Sequence, residues 1–210
     1  MATRTLSRAS IAAAALELLD RTGLEAFSMR RLADELGVGT MTLYGYFRSK
    51  SELLDAVMDA AASEVDANAP DASWRDRAAA LARTTRANLE RHPSLVQIRL
   101  QQPIGRPSQF RITESAIGAL IDAGLPRREA ARAFRVLFTY TFGFVAFSPT
   151  ATAGEARRDI RAAHASLPPD EYPLLSSMAD DAVAAAAGDE QFDYGLELIL
   201  DGIEAQVTRG

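Results

Sequence analysis

Residues 37–50, Gly-Val-Gly-Thr-Met-Thr-Leu-Tyr-Gly-Tyr-Phe-Arg-Ser-Lys, constrain this chain more than any other stretch. Gly37-Val38-Gly39 predicts a tight turn, because glycine alone enters left-handed backbone without a Cβ penalty. Ser49-Lys50-Ser51-Glu52 has the spacing of a capping box that opens a new helix. Between them, Thr40 to Phe47 is left to form one very short helix. On a helical wheel, Leu43 and Phe47 share one side and suit a core. Met41, Thr42 and Gly45 lie opposite, Tyr44 and Tyr46 flank them, and Thr40 sits beside Tyr44. A helix with hydroxyls, aromatics and a glycine on one side is built to touch something other than its own core.

The flanking sequence makes this a recognisable motif. Ser7 caps a helix running to about Arg21, with Ile11, Ala15, Leu18 and Leu19 as its apolar stripe and Gly23 closing it. Ser28 caps a second helix, Met29 to Leu36, with Met29, Leu32, Ala33 and Leu36 on one face; Gly37 stops it. Two helices joined by a glycine-containing turn are the helix-turn-helix signature. Ser49 opens a fourth helix through Leu53, Leu54, Val57 and Met58 toward Val65.

Such a helix fits the major groove of DNA. Gly45 lets the axis approach the bases. Met41 and the Thr42 methyl suit a thymine methyl, and threonine hydroxyls suit base edges or phosphates. Tyr44 and Tyr46 would meet the two phosphate walls. The capped start of the second helix is a phosphate site, Arg30 lies off the apolar stripe within reach of a guanine, and Lys50 suits a phosphate clamp. Alternatively, the two tyrosines pack against neighbouring helices and Arg30 is a solvated surface charge.

Charge is distributed accordingly. The chain is net −5, yet residues 1–50 hold seven bases against five acids. A basic head on an acidic body localises attraction for phosphate at one end. Arginine count itself is uninformative, since Lys50 is the only lysine beside 22 arginines in an alanine-rich chain. With no cysteine, disulfides and thiolate metal sites are excluded, and a cytoplasmic setting is expected. No apolar run reaches the roughly 18 residues of a membrane helix, and the N-terminus does not read as a signal peptide.

The rest of the chain also reads all-α. The turn formers of 68–73 mark a boundary, giving a helix-turn-helix domain over 1–52, a connecting helix over 53–67 and a helical body over 68–210. Helices are expected at Trp74–Arg91, in a short piece from Pro93 to Leu100, and at about 108–123, Arg127–Phe147, Tyr172–Ala187 and Phe192–Val207. Gln101–Pro107 reads as a loop. Residues 148–171 read as a connection with at most a short helical piece near Glu155–Ala165. Residues 134–147 are apolar almost all round, which predicts burial on every side, against core and against a partner subunit or cavity. Leu196, Ile199, Leu200 and Ile203 give the last helix a similar stripe.

Residues 23–54 closely resemble the tetracycline-repressor (TetR) family, above all in Ala33, Gly37-Val38, Thr42-Leu43-Tyr44, Phe47, Lys50 and Leu53-Leu54. A looser likeness to that family's C-terminal ligand and dimer domain covers Ser73-Trp74, the 108–147 helix pair and Phe192–Ile203. The resemblance implies a homodimeric repressor of double-stranded operator DNA, released by a small inducer. It implies DNA contacts at Ser28, Met29, Arg30, Thr40, Met41, Thr42, Tyr44, Tyr46 and Lys50. Two departures stand out. Gly45 occupies a position where many members carry a DNA-touching side chain. His92 and His164 are the only histidines and read as surface or capping residues, so the expected inducer is not a tetracycline–magnesium complex, and neither metal nor cofactor is expected.

Polar residues on otherwise apolar helices nominate the ligand site: Thr84, Thr85, Asn88, Arg99, Gln102 and Thr141, with Phe110, Phe138 and Phe142 as walls. Arg99, if buried, needs an anion from a side chain or a ligand. No nucleophile, metal cluster or phosphate loop points to catalysis. Two alternatives remain open from sequence: a DNA-binding regulator with a trigger other than a small molecule, and a helical enzyme or scaffold that carries the same head.

Overall fold

Capping chemistry sets where the helices begin and end. The computed structural model describes residues 6–65, 72–101, 107–148, 153–186 and 188–209. Among these residues all regular structure is helical, in twelve helices. The chain clusters into two compact units, Met1–Phe142 and Gly143–Gly210.

In the first unit, α1 (Arg8–Ala26) starts with a reciprocal cap: the Ser10 N–H donates to Ser7 Oγ and the Ser7 N–H to Ser10 Oγ. Gly23 breaks its regular path at φ 76°, and one further turn follows before the C-cap Phe27. Helix α2 (Met29–Leu36) is capped by Ser28, whose hydroxyl accepts from the Arg31 N–H. It ends on Gly37 in left-handed backbone, φ 66°. There the Gly37 and Val38 N–H groups return to the Asp34 and Ala33 carbonyls, satisfying acceptors that the helix end leaves open. Helix α3 (Thr40–Tyr46) follows at once, with Phe47 as its C-cap. Helix α4 (Lys50–Ala62) begins at Ser49.

Ile11, Ala15, Leu18, Leu19, Leu32, Ala33, Leu43, Phe47, Leu53 and Val57 are all essentially inaccessible to solvent and form the core of this head. Full burial of one leucine or phenylalanine contributes about 1.5–3 kcal/mol, so this cluster dominates the head's stability.

Polar contacts set the angle at which α3 sits. The Arg8 guanidinium donates to the Tyr46 carbonyl, pairs with Glu52 at 2.9 Å and lies 4.2 Å from the centre of the Phe47 ring. The Tyr46 hydroxyl donates to the Leu6 carbonyl at 3.1 Å. Lys50 Nζ donates to the Phe27 carbonyl at 2.7 Å, closing the end of α1. The expected capping box is half present. Ser49 accepts from the Glu52 N–H, but Glu52 Oε2 takes the Arg48 N–H at 2.7 Å rather than that of Ser49. Arg8, on the other oxygen of the same carboxylate, accounts for this orientation.

Four further helices continue the unit: α5 (Trp74–Arg91), α6 (Ser94–Gln101), α7 (Pro107–Asp122) and α8 (Arg127–Phe147), the last of which runs past the unit's end. Helix α7 packs on α4 and α5, and α6 packs on α1 and α5. The turn formers of 68–71, and Gln102 with most of the expected loop, lie outside the described residues. Helix α8 is less buried than expected. Ala130, Ala133, Leu137 and Thr141 are buried, whereas Val136 and Phe147 are exposed in the single chain.

The second unit departs from expectation twice. The helical piece expected near Glu155–Ala165 is α9 (Ala153–Ala165), which is longer than expected at its start and packed on α10 (Pro173–Ser177) and α11 (Ala179–Ala185). Arg161 pairs with Asp180 at 2.6 Å and His164 Nδ1 meets the Leu175 carbonyl at 2.8 Å, contacts that a local reading of a weakly apolar segment does not reveal. The helix expected over Tyr172–Ala187 breaks at Met178. Ser176 and Ser177 donate back to the Pro173 and Leu174 carbonyls, which competes with continuing the ladder. Helix α12 (Asp189–Val207) buries Phe192, Leu196, Leu200 and Ile203, with the Phe192 ring edge-on to Phe144 at 5.1 Å.

The Glu52 carboxyl is held below its ordinary value by the Arg48 N–H first and then by Arg8. A depressed carboxyl stabilises the fold above its unfolded-state value, and that contribution is lost as pH falls through the folded-state value. Glu52→Gln should therefore lower the melting temperature at pH 7, and the gap to wild type should close as pH falls from 5 toward 3. Thermal melts of both proteins across that range check this.

Candidate nucleic-acid interface and an internal cavity

A seven-residue helix presents few side chains, so the placement of each matters. Leu43 and Phe47 are fully buried, as the wheel requires, while Met41 is 80% exposed. Thr42 and Gly45 are exposed beside it, and Thr40 is half-buried. Tyr44 is exposed on one flank. Tyr46, on the other, is half-buried with its donor committed to Leu6. The sequence aims both hydroxyls outward; Tyr46 retains only a lone pair for an outside donor. A Cβ built on Gly45 meets nothing within 4 Å, and the residue has no positive φ. Neither internal packing nor backbone conformation therefore calls for glycine there.

Beside α3 stands the start of α2. Ser28 is exposed, and its hydroxyl already serves as the cap. Met29 is buried, so outward it can offer only a backbone N–H of the first turn. Arg30 and Arg31 are exposed and have no ion-pair partner among the described residues. Lys50 is exposed on the far side, with its ammonium on the Phe27 carbonyl. That bond holds the positive charge in place without cancelling it. The backbone dipoles of α2, two free guanidiniums, one anchored ammonium and the polar face of α3 form a surface suited to a phosphate-lined groove.

A cavity of about 110 Å³ lies in the same unit, bounded by α4, α5, α6, α7 and α8. Of the nominated residues, Thr85, Asn88, Arg99, Phe138, Thr141 and Phe142 line it. Thr84 and Phe110 do not: Thr84 is exposed and its hydroxyl donates to the Ala80 carbonyl, and Phe110 is 55% exposed. Thr84 directly precedes Thr85, and that single step turns it roughly 100° around the helix and off the lining face. Several wall residues were not anticipated, including Met58, Ala61 and Val65 near the end of α4, Ile112 and Ala116 of α7, and Phe134. An apolar stripe reads as core whether it meets another helix or an empty space, so sequence carries no signal for them.

Two of the polar wall residues are already engaged within the protein. Asn88 Nδ2 donates to the Ala61 carbonyl at 3.2 Å, and the Thr141 hydroxyl donates to the Leu137 carbonyl at 2.9 Å. Nearby, His92 Nδ1 lies 2.7 Å from Asp20 and Ser94 Oγ donates to the Leu19 carbonyl at 3.1 Å, joining the α5–α6 corner to the end of α1. Neither His92 nor His164 lines the cavity.

Comparison with known proteins agrees with this division of labour. Residues 11–57 match the tetR family of bacterial regulatory proteins, and residues 67–207 match the tetracyclin repressor-like C-terminal domain. The HTH-type transcriptional repressor DrrR1 of Streptomyces coeruleorubidus is 34% identical over 98% of this chain and 80% of its own length. The TetR family protein ActR of Streptomyces coelicolor, in complex with actinorhodin, superposes with a TM-score of 0.84 at 29% identity, over 97% of this chain and 98% of ActR. BioQ with its double-stranded DNA operator superposes with a TM-score of 0.66 at 25% identity, over 96% of this chain and 99% of BioQ. With a helix-turn-helix head and a matching C-terminal domain, this chain belongs to the tetR family of bacterial regulatory proteins.

Proposed function

We propose that this protein is a dimeric transcriptional repressor that binds a palindromic operator through α2, α3 and Lys50 and is released when a small organic inducer fills the cavity. The observation that carries this reading is the path of α4. Its first turn is bonded into the head through Lys50 and Glu52, and its last turns supply Met58, Ala61 and Ala62 to the cavity wall. A helix of 13 residues spans about 20 Å and moves as a rod. A ligand that pushes one end therefore tilts the other, and with it the reading helix. ActR in complex with actinorhodin supports a small-ligand site in this reading, and BioQ with its double-stranded DNA operator supports the DNA site.

The inducer in this reading is free of magnesium. The residues lining the cavity include no carboxylate or imidazole, so the lining offers a hard cation only neutral oxygens. The protein acts by binding, within the cytoplasm. No helix among the described residues is long and apolar enough to cross a membrane.

Dimerisation is placed on α8 and α12. Tyr194 and Leu198 are one helical turn apart and 63% and 55% exposed, and Phe147 at the end of α8 is 90% exposed. Apolar groups of this size repeated along a helix face suit an isologous interface.

Selection of bound duplexes from a random DNA pool tests the central reading. It should return an inverted repeat whose half-sites are about one or more helical turns apart, and a consensus without two-fold symmetry would count against the dimeric repressor. Gly45→Ala separates a structural from a recognition role for the glycine. Alanine should stabilise α3 by about 0.5–1 kcal/mol in denaturant unfolding, yet weaken binding to the selected duplex. Equal or tighter DNA binding would show that close approach is not needed at this position. Leu198→Glu should shift the protein from dimer to monomer in analytical ultracentrifugation and lower operator affinity with it.

A further inference from the structure

Fifteen of the twenty residues lining the cavity have apolar side chains, and Arg99 is the only charged one of the twenty. Its Nη1 is buried with no hydrogen-bond partner among the described residues. Residues 102–106, which follow α6, contain no acidic residue. The nearest charge points the wrong way: the Arg99 and Arg135 guanidiniums lie 5.4 and 5.6 Å from the centre of the same Phe138 ring. Burial first, and then Arg135, push the Arg99 guanidinium below its ordinary value. Arginine nevertheless stays protonated in proteins, so the charge remains, and no counter-ion meets it among the described residues.

A part-buried cation with a buried, unsatisfied N–H is costly, and an anion that brings hydrogen-bond acceptors offsets that cost. The cation also stands beside an aromatic wall. Phe138 stacks on Phe142 at 4.4 Å and meets Phe134 at 6.0 Å, and all three rings line the cavity. An inorganic ion would satisfy Arg99 and leave that wall empty. A neutral hydrocarbon would fill the space and desolvate the guanidinium further. The cavity of about 110 Å³ is comparable with the roughly 150 Å³ engineered cavity that takes up benzene, so an aromatic ring is of the right scale.

From this geometry we infer that the cavity selects an aromatic organic anion, whose carboxylate or equivalent oxyanion pairs with Arg99 while its ring stacks along Phe134, Phe138 and Phe142. The inference rests on the reading of the cavity as the inducer site and assigns that site its ligand class. It also assigns Arg99 the discriminating role: a cationic aromatic meets repulsion from Arg99 and Arg135, and a neutral one offers Nη1 at most an uncharged acceptor and no counter-charge.

Calorimetric titration of the full chain with three probes of matched shape tests this: 2-naphthoate, 2-naphthamide and 2-naphthylmethylammonium. Wild type should bind the naphthoate at least about tenfold more tightly than the amide, and the ammonium most weakly. Arg99→Met should lose the preference while still binding the amide, and Arg99→Lys should keep part of it. Arg99→Gln provides a second neutral variant should the methionine protein fail to fold. Equal affinity for naphthoate and amide in wild type, as an internal counter-ion would produce, overturns the inference. So does a preference that survives in the neutral variants, or a lack of binding by all three probes. Binding of the same proteins to duplexes selected from the random pool is measured separately. Failure to bind DNA would sink the repressor reading, and the charge preference would still decide this one.

Discussion

A seven-residue helix cannot hold itself in water, and the head depends on that constraint. Nucleation costs more than so few hydrogen bonds return, so α3 exists only where tertiary contacts fix it. Two inward side chains, Leu43 and Phe47, supply most of that hold, because burial of large apolar groups outweighs exposed ion pairs. The polar contacts do something else. Arg8 reaches both the last carbonyl of α3 and the first turn of α4, and Tyr46 reaches back to Leu6. These contacts define one direction for the helix and leave its outer side unencumbered. Recognition needs that arrangement, since a reading helix must be rigid and bare at once.

The cavity reaches the head by two routes within the same unit. One is α4, bonded to the head at its start and lining the cavity near its end. The other is α6. Its first residue, Ser94, donates to Leu19 of α1, and Leu95 and Arg99 further along face the cavity. The His92–Asp20 contact strengthens that corner. A ligand that moved α4 and α6 together would carry the head along without changing its internal geometry. A ligand that moved one against the other would tilt α2 and α3 relative to α1. Only the second is a switch, and it requires a ligand with unequal affinity for the two arrangements. Arg99 sits on α6 while Met58, Ala61 and Ala62 sit on α4, so a ligand held by the cation and pressed on the apolar wall acts on both helices.

How much of this was legible beforehand depended on the range of the interaction. The caps at Ser7, Ser28 and Ser49, the Gly37 turn and the inward pair Leu43 and Phe47 are set by residues within a few positions of one another, and they follow from local rules. The destination of the Glu52 carboxylate was not legible, because Arg8 lies 44 residues away. Helix α9 was legible as a piece near Glu155–Ala165, whereas its contacts with Asp180 and the Leu175 carbonyl were not, because the partners lie 19 and 11 residues away. The break at Met178 was present in Ser176-Ser177, whose hydroxyls have a known tendency to bond back, but the leucines before and the alanines after it masked it. In the cavity, polar residues on apolar helices were a usable signal for Thr85, Asn88, Arg99 and Thr141 and a misleading one for Thr84. Polarity marks an exception to the core, yet it does not say on which side of the helix that exception falls.

Charge accounting explains why so acidic a chain can still approach DNA. Of the head's guanidiniums, Arg8 and Arg21 are spent on Glu52 and Glu35. Among the described residues Arg30, Arg31 and Arg48 remain, the first two at the start of α2, where the backbone dipole adds to their field. Lys50 is anchored by a carbonyl, which takes up a hydrogen bond without neutralising the ammonium. Unpaired positive charge thus stands at the start of α2 and on Lys50, beside the polar outer side of α3. The acidic remainder is screened over about 10 Å at ordinary salt, so a phosphate at α2 feels the local cluster more than the net −5. In the proposed dimer that cluster occurs twice at fixed separation. Binding then falls steeply with salt, because each half-site releases its own condensed counter-ions.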